Sequence, residues 1–93
     1  MTMARPLVCI TGASSGIGQA LALRYHRAGW RLALVARRAE AVQQWAAAEG
    51  IPAADLLVLA ADVRDVSGIT AAGRRCIAEA GLPDVVIANA GIS

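Results

Sequence analysis

The sequence predicts an α/β protein built on a doubly wound parallel sheet with strand order 3-2-1-4. Short apolar runs alternate with longer stretches of helical periodicity, in the order β-α-β-α-β-α-β along 93 residues. The apolar runs lack the polar alternation of a strand that is exposed on one face, so helices are expected to cover both faces of the sheet. Right-handed crossovers then place the first strand between the second and the fourth.

Four apolar runs are predicted as strands, and stretches with helical spacing separate them. The predicted strands are Leu7–Thr11, Arg31–Ala36, Leu56–Ala60 and Asp84–Ala88. The first predicted helix is Gly16–Ala28, with Gly29 at the position after the cap, and the second is Ala39–Ala48, ended by Gly50 and Pro52. No repeat or linker interrupts the pattern, which indicates one domain over residues 1–93.

The third predicted helix begins after Asp65, a residue type that caps helix N-termini, and ends before Gly81 and Pro83. Small or apolar residues recur along it at helical spacing: Ile69, Ala72, Gly73, Cys76, Ile77 and Ala80. The corresponding inner face of the second helix is Val42, Trp45 and Ala46. These stripes are the faces expected to pack on the sheet.

Residues Thr11–Gly18, here called the glycine turn, join the first strand to the first helix with the spacing Gly-x-x-x-Gly-x-Gly. Gly12 allows a tight exit from the strand, Gly16 leaves space for a pyrophosphate, and Gly18 allows the helix to pack closely on the sheet. The helix N-terminus would offer N–H groups and a positive dipole end to the phosphates. A tight turn without a ligand is the alternative interpretation.

Arg37 and Arg38 follow the second strand, where an NAD site usually carries Asp or Glu. A guanidinium at this point suits the 2′-phosphate of NADP, and we predict Arg37 as its main contact, with Arg38 second. The hydroxyl of Ser14 could add a further hydrogen bond. The alternative is that both arginines are solvated surface charges.

The third and fourth strands also end in candidate binding residues. Asp62 could accept a hydrogen bond from the adenine amino group while Val63 packs on the ring; alternatively, Asp62 is an exposed loop residue or a helix cap. Asn89 could bridge the backbones of neighbouring strands, and Gly91 could admit a ribose. Alone, the Asn89–Gly91 segment is a common turn sequence.

Three motifs of the chain, taken in order, resemble those of classical short-chain dehydrogenases/reductases, whose fold is of the Rossmann type. They are Thr-Gly-x-x-x-Gly-x-Gly, Asp62-Val63 and Asn89-Ala90-Gly91. The resemblance covers Leu7–Ser93. It implies phosphate contacts at the glycine turn, 2′-phosphate contacts at Arg37, adenine contacts at Asp62 and Val63, and adenosine-ribose contacts from Asn89 through Ala90 to Gly91. The phosphate contacts that it implies are Gly12, Ser14, Ser15, Gly16, Ile17 and Gly18. Thr11 would tie the glycine turn to the fourth strand.

In the family, catalysis uses a Ser and a Tyr-x-x-x-Lys arrangement beyond the fourth strand. This chain has no lysine, and its one tyrosine, Tyr25, lies in the first predicted helix. The resemblance therefore implies the cofactor-binding half of an NADP-dependent oxidoreductase acting on a carbonyl or alcohol. The complete protein would be a homo-oligomer, whereas the 93 residues alone are expected to be inactive and marginally stable. No catalytic residue is assigned, and His26 is predicted to be a surface residue.

Composition excludes several other classes. The net charge of +2 is too small to indicate a nucleic-acid partner, and no apolar run is long enough for a membrane span. Cys9 and Cys76 form no metal-ligand pattern, so we expect two free thiols and no metal. Because no signal peptide is visible either, we expect a cytoplasmic location. Two alternatives stay open: an NADP-binding module without catalysis, and another Rossmann-type protein such as an S-adenosylmethionine-dependent methyltransferase.

Overall fold

The computed structural model describes residues 5–89, in which strands and helices alternate as the sequence predicts. The strands are β1 (Leu7–Thr11), β2 (Arg31–Ala36), β3 (Leu56–Ala60) and β4 (Val85–Ala88). The helices are α1 (Gly16–Arg27), α2 (Ala39–Ala48) and α3 (Val66–Glu79), and a single 3-10 turn over Ala53–Asp55 leads into β3. Each apolar run of the sequence therefore becomes one strand.

The four strands form one parallel sheet in the order β3-β2-β1-β4, which confirms the predicted topology. Thr11 at the end of β1 pairs with Val35 of β2 and with Ala88 of β4. Val35 in turn pairs with Leu59 of β3. Because the strands are parallel and in this register, their carboxyl ends lie along one edge of the sheet.

Successive residues of β1 and β2 enter two different cores, because side chains alternate across a strand. Val8 and Ile10 of β1 pack in the core that includes Ala22 of α1 and Val42 of α2. Leu7 and Cys9 instead pack in the core that includes Ala72 and Cys76 of α3. Helices therefore cover both faces of β1 and β2, which explains why Leu7–Ile10 and Leu32–Ala36 are apolar throughout.

The helix ends differ from the prediction by one residue at most. α1 ends at Arg27, and Gly29 has a φ of +93°, a conformation that favours glycine and that turns the chain towards β2. Asp65 occupies the N-cap position of α3, but its side chain makes no capping hydrogen bond. Asp84 lies just before β4, where its carboxylate accepts a hydrogen bond of 2.9 Å from the backbone N–H of Leu7.

The inner face of α3 is narrower than the predicted stripe. Ala72 and Cys76 are buried, whereas Ile77 is 51% exposed. The cause is the position of α3, which packs over Cys9, Val35 and Leu59 of the central strands and β3. Val86 of β4, the partner of Cys9 in the sheet, lies on the same face and is 63% exposed. Within residues 5–89, the face of the sheet on which α3 packs is therefore uncovered at β4.

Candidate functional site

The carboxyl ends of the strands bring the predicted site residues of four separate segments to one edge of the sheet. The glycine turn follows β1, Arg37 follows β2, Asp62 follows β3 and Asn89 follows β4. In open parallel sheets this edge is where ligands bind. The predicted strand order, which the pairing of the four strands confirms, thus brings these segments to a common edge, while their binding roles stay predictions and Ala90 and Gly91 lie outside the described residues.

The glycine turn leaves β1 through a left-handed backbone conformation at Gly12, whose φ is +64°. A side chain is disfavoured at this φ, so glycine is the suitable residue. The N–H of Ala13 then donates to the carbonyl of Val35 in β2 at 3.1 Å, and the N–H of Ser15 donates to the carbonyl of Gly12 at 3.2 Å. These bonds close the turn and fix where α1 begins.

Ser15 is the N-cap of α1. Its hydroxyl oxygen accepts a hydrogen bond of 3.0 Å from the N–H of Gly18 and donates to the carbonyl of Gly12 at 3.0 Å. Capping of this kind satisfies one of the free N–H groups of a helix start. The hydroxyl proton of Ser15 is therefore already used inside the turn, and the predicted phosphate contact of Ser15 stays a prediction.

Asn89 ties the end of β4 to the glycine turn. Its Nδ2 donates to the Oγ of Ser15 at 2.8 Å and to the carbonyl of Gly12 at 3.2 Å. Its backbone N–H donates to the Oγ1 of Thr11 at 3.1 Å, which is the link that the resemblance implied for Thr11. The Asn89 amide therefore holds the turn in place, and its predicted contact with a ribose stays a prediction.

Gly16 and Gly18 differ in their surroundings although both lie in the first turn of α1. A Cβ at Gly16 would have no atom within 4 Å, so open space lies where a pyrophosphate is predicted. A Cβ at Gly18 would lie 2.6 Å from the Gly12 carbonyl oxygen and 3.2 Å from the Nδ2 of Asn89. Gly18 thus permits close packing of the helix against the turn and Asn89, whereas the sequence suggests packing against the sheet. Ser14 and Ile17 are both exposed.

Arg37 and Arg38 lie between β2 and α2, and both side chains are exposed. They line an open groove together with Glu40 and residues of α2 and β3. Arg38 is the N-cap residue of α2 but makes no capping hydrogen bond with its side chain. Two guanidinium groups beside an open groove suit an anionic ligand. Glu40, which the sequence analysis did not single out, lies in the first turn of α2.

Asp62 is held by Arg64, a residue that the sequence analysis did not single out. The Asp62 Oδ1 accepts from the Arg64 backbone N–H at 2.9 Å and from its Nε at 3.2 Å, while Oδ2 accepts from Nη2 at 3.0 Å. The Nη1 of Arg37 lies 4.0 Å from Oδ2. These contacts, chiefly the hydrogen bonds from Arg64, lower the pKa of Asp62 to about 2. Val63 is exposed beside it.

Replacing Arg64 by alanine is expected to raise the pKa of Asp62 towards the ordinary aspartate value of about 3.9. A carboxyl whose pKa is lower in the folded than in the unfolded chain stabilises the fold at neutral pH, and this contribution is lost as the pH falls through the folded-state value. Titration of the Asp62 carboxyl carbon by NMR measures the change. Asp55 is the internal control, because its pKa of about 2 depends first on Arg5 and then on His26. An unchanged pKa of Asp62 would contradict the account.

His26, predicted to be a surface residue, is partly exposed and makes a specific contact. Its side chain is only 24% exposed, and its Nε2 lies 3.1 Å from the Oδ2 of Asp55, which also pairs with Arg5. This cluster lies between the end of α1 and the 3-10 turn before β3, away from the strand ends that carry the site. The cluster links the segment before β1, the end of α1 and the 3-10 turn, and no catalytic role is assigned to it.

Cys9 and Cys76 are free and buried, as expected for two thiols in an ordinary core. Burial raises the pKa of the Cys9 thiol to about 11, so this thiol is protonated at neutral pH. Among residues 5–89, no group of three or more potential ligands could hold a metal ion. No helix within the same residues has the length and apolar character needed to cross a membrane.

Comparison with known proteins identifies the family. The sequence profile described as short chain dehydrogenase matches residues 6–93. The mouse protein named dehydrogenase/reductase SDR family member 7 is 40% identical over 91 residues, which cover 94% of this chain and 27% of that protein.

The solved structures that share the fold include the following two. L-sorbose reductase from Gluconobacter frateurii, complexed with NADPH and L-sorbose, matches with a TM-score of 0.78 and 32% identity over 99% of this chain and 35% of its own. An alcohol dehydrogenase from Thermococcus sibiricus, complexed with 5-hydroxy-NADP, matches with a TM-score of 0.79 and 29% identity over 89% of this chain and 36% of its own.

This chain spans about a third or less of the length of these relatives. The part that matches is the part described above, from β1 with its glycine turn to β4 with Asn89. The sheet order, the glycine turn and the family profile agree, and the chain belongs to the short-chain dehydrogenase family.

Proposed function

We propose that this chain is the NADP-binding part of a short-chain dehydrogenase/reductase whose complete form oxidises an alcohol or reduces a carbonyl. The observation that carries the preference for NADP is Arg37, which follows β2 at the open groove. A guanidinium at this position is suited to a 2′-phosphate, whereas an acid would be suited to the 2′-hydroxyl of NAD. The cofactor would supply or accept the hydride in the complete enzyme.

The residues at the strand ends fit a dinucleotide. The space at Gly16 allows a pyrophosphate to approach the backbone, and the N-terminus of α1 presents a positive dipole end to it. Arg37 and Arg38 would bind the 2′-phosphate, and Ser14, which is exposed in the glycine turn, would add a hydrogen bond through its hydroxyl. Asp62 and Val63 would border the adenine. The segment from Asn89 to Gly91 would lie at the adenosine ribose.

Catalysis is proposed for the complete protein only. The 93 residues contain no lysine, and Tyr25 lies in α1, so they do not hold the Tyr-x-x-x-Lys set of the family. Residues 1–93 would therefore form the portion of the domain that binds and orients the cofactor. For the complete protein we also propose an alcohol or carbonyl substrate, a homo-oligomeric assembly and a cytoplasmic location.

Thermal unfolding of the protein with added ligands tests this proposal. NADP is expected to raise the melting temperature more than NAD, because a ligand that binds only the folded state stabilises it to an extent that increases with its affinity. S-adenosylmethionine is expected to leave the melting temperature unchanged. Protection by S-adenosylmethionine without protection by NADP would contradict the proposal and favour a methyltransferase.

Replacing Arg37 by alanine is expected to weaken NADP binding about ten- to a hundredfold, because a charge-assisted hydrogen bond to the 2′-phosphate is lost. The affinity for NAD should stay the same. Arg74→Ala is the matched control, because Arg74 is an exposed arginine on α3, away from the strand ends. Equal weakening of both dinucleotides by Arg37→Ala, measured by equilibrium titration, would argue against a 2′-phosphate site.

A further inference from the structure

The carboxylate of Asp62 lies between two arginines that contact it unequally. Arg64 binds both of its oxygens through the side chain, at 3.2 and 3.0 Å, and adds a backbone hydrogen bond at 2.9 Å. Arg37 approaches the same carboxylate only to 4.0 Å, beyond hydrogen-bond distance. Asp62 is therefore bound to Arg64, and within residues 5–89 the guanidinium of Arg37 donates no hydrogen bond.

The unequal contacts matter because of the charges that surround Arg37. Arg38 and Glu40 line the same groove as Arg37, and the Asp62 carboxylate lies 4.0 Å from the Arg37 guanidinium. Without the Arg64 guanidinium, the Asp62 carboxylate would attract Arg37 and would repel a phosphate bound at Arg37. The bidentate contact with Arg64 balances this negative charge and occupies both carboxylate oxygens.

We propose that Arg64 is a positioning residue that sets the preference for NADP by holding Asp62, which leaves Arg37 free for the 2′-phosphate. This inference rests on the proposed function, because it concerns the same cofactor. It assigns Arg64 no contact with the dinucleotide, and its effect passes entirely through the carboxylate of Asp62. Arg64 therefore matters only while residue 62 is an acid.

The test is the ratio of the dissociation constants of NADP and NAD, measured by equilibrium titration of the protein and three variants. Arg64→Ala is expected to shift the ratio towards NAD by up to about fivefold, the upper end of the effect of a single exposed charge pair. Asp62→Asn is expected to shift the ratio towards NADP, because the repelling carboxylate is gone. In the double variant, Arg64→Ala should have no further effect on the ratio.

Arg75→Ala is the matched control, because Arg75 also pairs with a carboxylate, that of Glu79, but within α3. It removes the same net charge and should leave the ratio unchanged. Loss of the preference for NADP on Arg64→Ala in the Asp62→Asn background would overturn the inference, since Arg64 would then contact the phosphate directly. An unchanged ratio in Arg64→Ala alone would also overturn it.

Failure of the inference is distinguishable from failure of the proposed function. If the parent protein binds NADP more tightly than NAD but Arg64→Ala keeps the ratio, only the role of Arg64 is wrong. If the parent protein binds neither dinucleotide, the proposed function and the inference are both wrong. A high salt concentration should reduce the effect of Arg64→Ala, because exposed charges are screened.

Discussion

Replacing Gly18 by alanine is expected to destabilise the protein by about 1–3 kcal/mol, the usual cost of placing an extra group in a packed site. The new Cβ would lie 2.6 Å from the Gly12 carbonyl oxygen, a backbone atom that cannot move without opening the glycine turn. It would also press on the Nδ2 of Asn89. Dinucleotide binding should fall with stability, because the start of α1 and the turn would move apart. Urea unfolding and NADP titration measure the two effects.

Two other glycines provide controls for this substitution. Gly73 lies in α3, and a Cβ at this position would have no atom within 4 Å, so Gly73→Ala should keep or slightly raise stability. Gly16→Ala should also keep the stability of the free protein, but it should weaken dinucleotide binding, because its methyl group would occupy the space proposed for the pyrophosphate. If Gly18→Ala were as stable as Gly73→Ala, the close contact with the Gly12 carbonyl would not matter.

Replacing Asn89 by alanine is expected to cost about 1–3 kcal/mol, because partly buried hydrogen-bonding groups lose their donor. The Ser15 Oγ and the Gly12 carbonyl would both lose the amide of Asn89. Ser15 would still cap α1, so the helix should form while its attachment to β4 weakens. Urea unfolding gives the stability, and the affinity for NADP is expected to fall as well.

Asn89→Asp tests whether donation by the amide is what stabilises the turn. The size of the side chain is kept, but a carboxylate oxygen would face the Gly12 carbonyl oxygen. At neutral pH this variant should be at least as unstable as Asn89→Ala, and it should recover as acid protonates the carboxyl and restores a donor. Parent-like stability of Asn89→Asp at neutral pH would contradict the role assigned to the amide.

Local sequence patterns predict the fold well because each element carries its own signal. The apolar runs of β1 to β3 and the helical spacing of α2 match the structure residue for residue. The glycine at the end of α1 identifies the turn that follows, since its φ is positive. The topology then follows from the handedness of parallel connections.

Side-chain contacts between distant segments could not be predicted from local sequence patterns. Asn89 contacts Ser15 across 74 positions of sequence, and His26 contacts Asp55 across 29. Neither pair has a spacing that would reveal it. Arg64 is only two residues from Asp62, yet the sequence does not indicate whether an arginine in a loop turns back to its neighbour or points to solvent. These contacts depend on the assembled sheet edge and on the local turn.

The most direct test of the central claim is a calorimetric titration of the protein with NADP and, in parallel, with NAD. The account predicts saturable binding of both, with NADP tighter by about tenfold or more, the factor that corresponds to about 1.4 kcal/mol. Binding of NAD as tightly as NADP, or more tightly, would contradict the assignment of Arg37 to a 2′-phosphate. Binding of neither would contradict the proposal that the glycine turn and its neighbouring strand ends form a dinucleotide site.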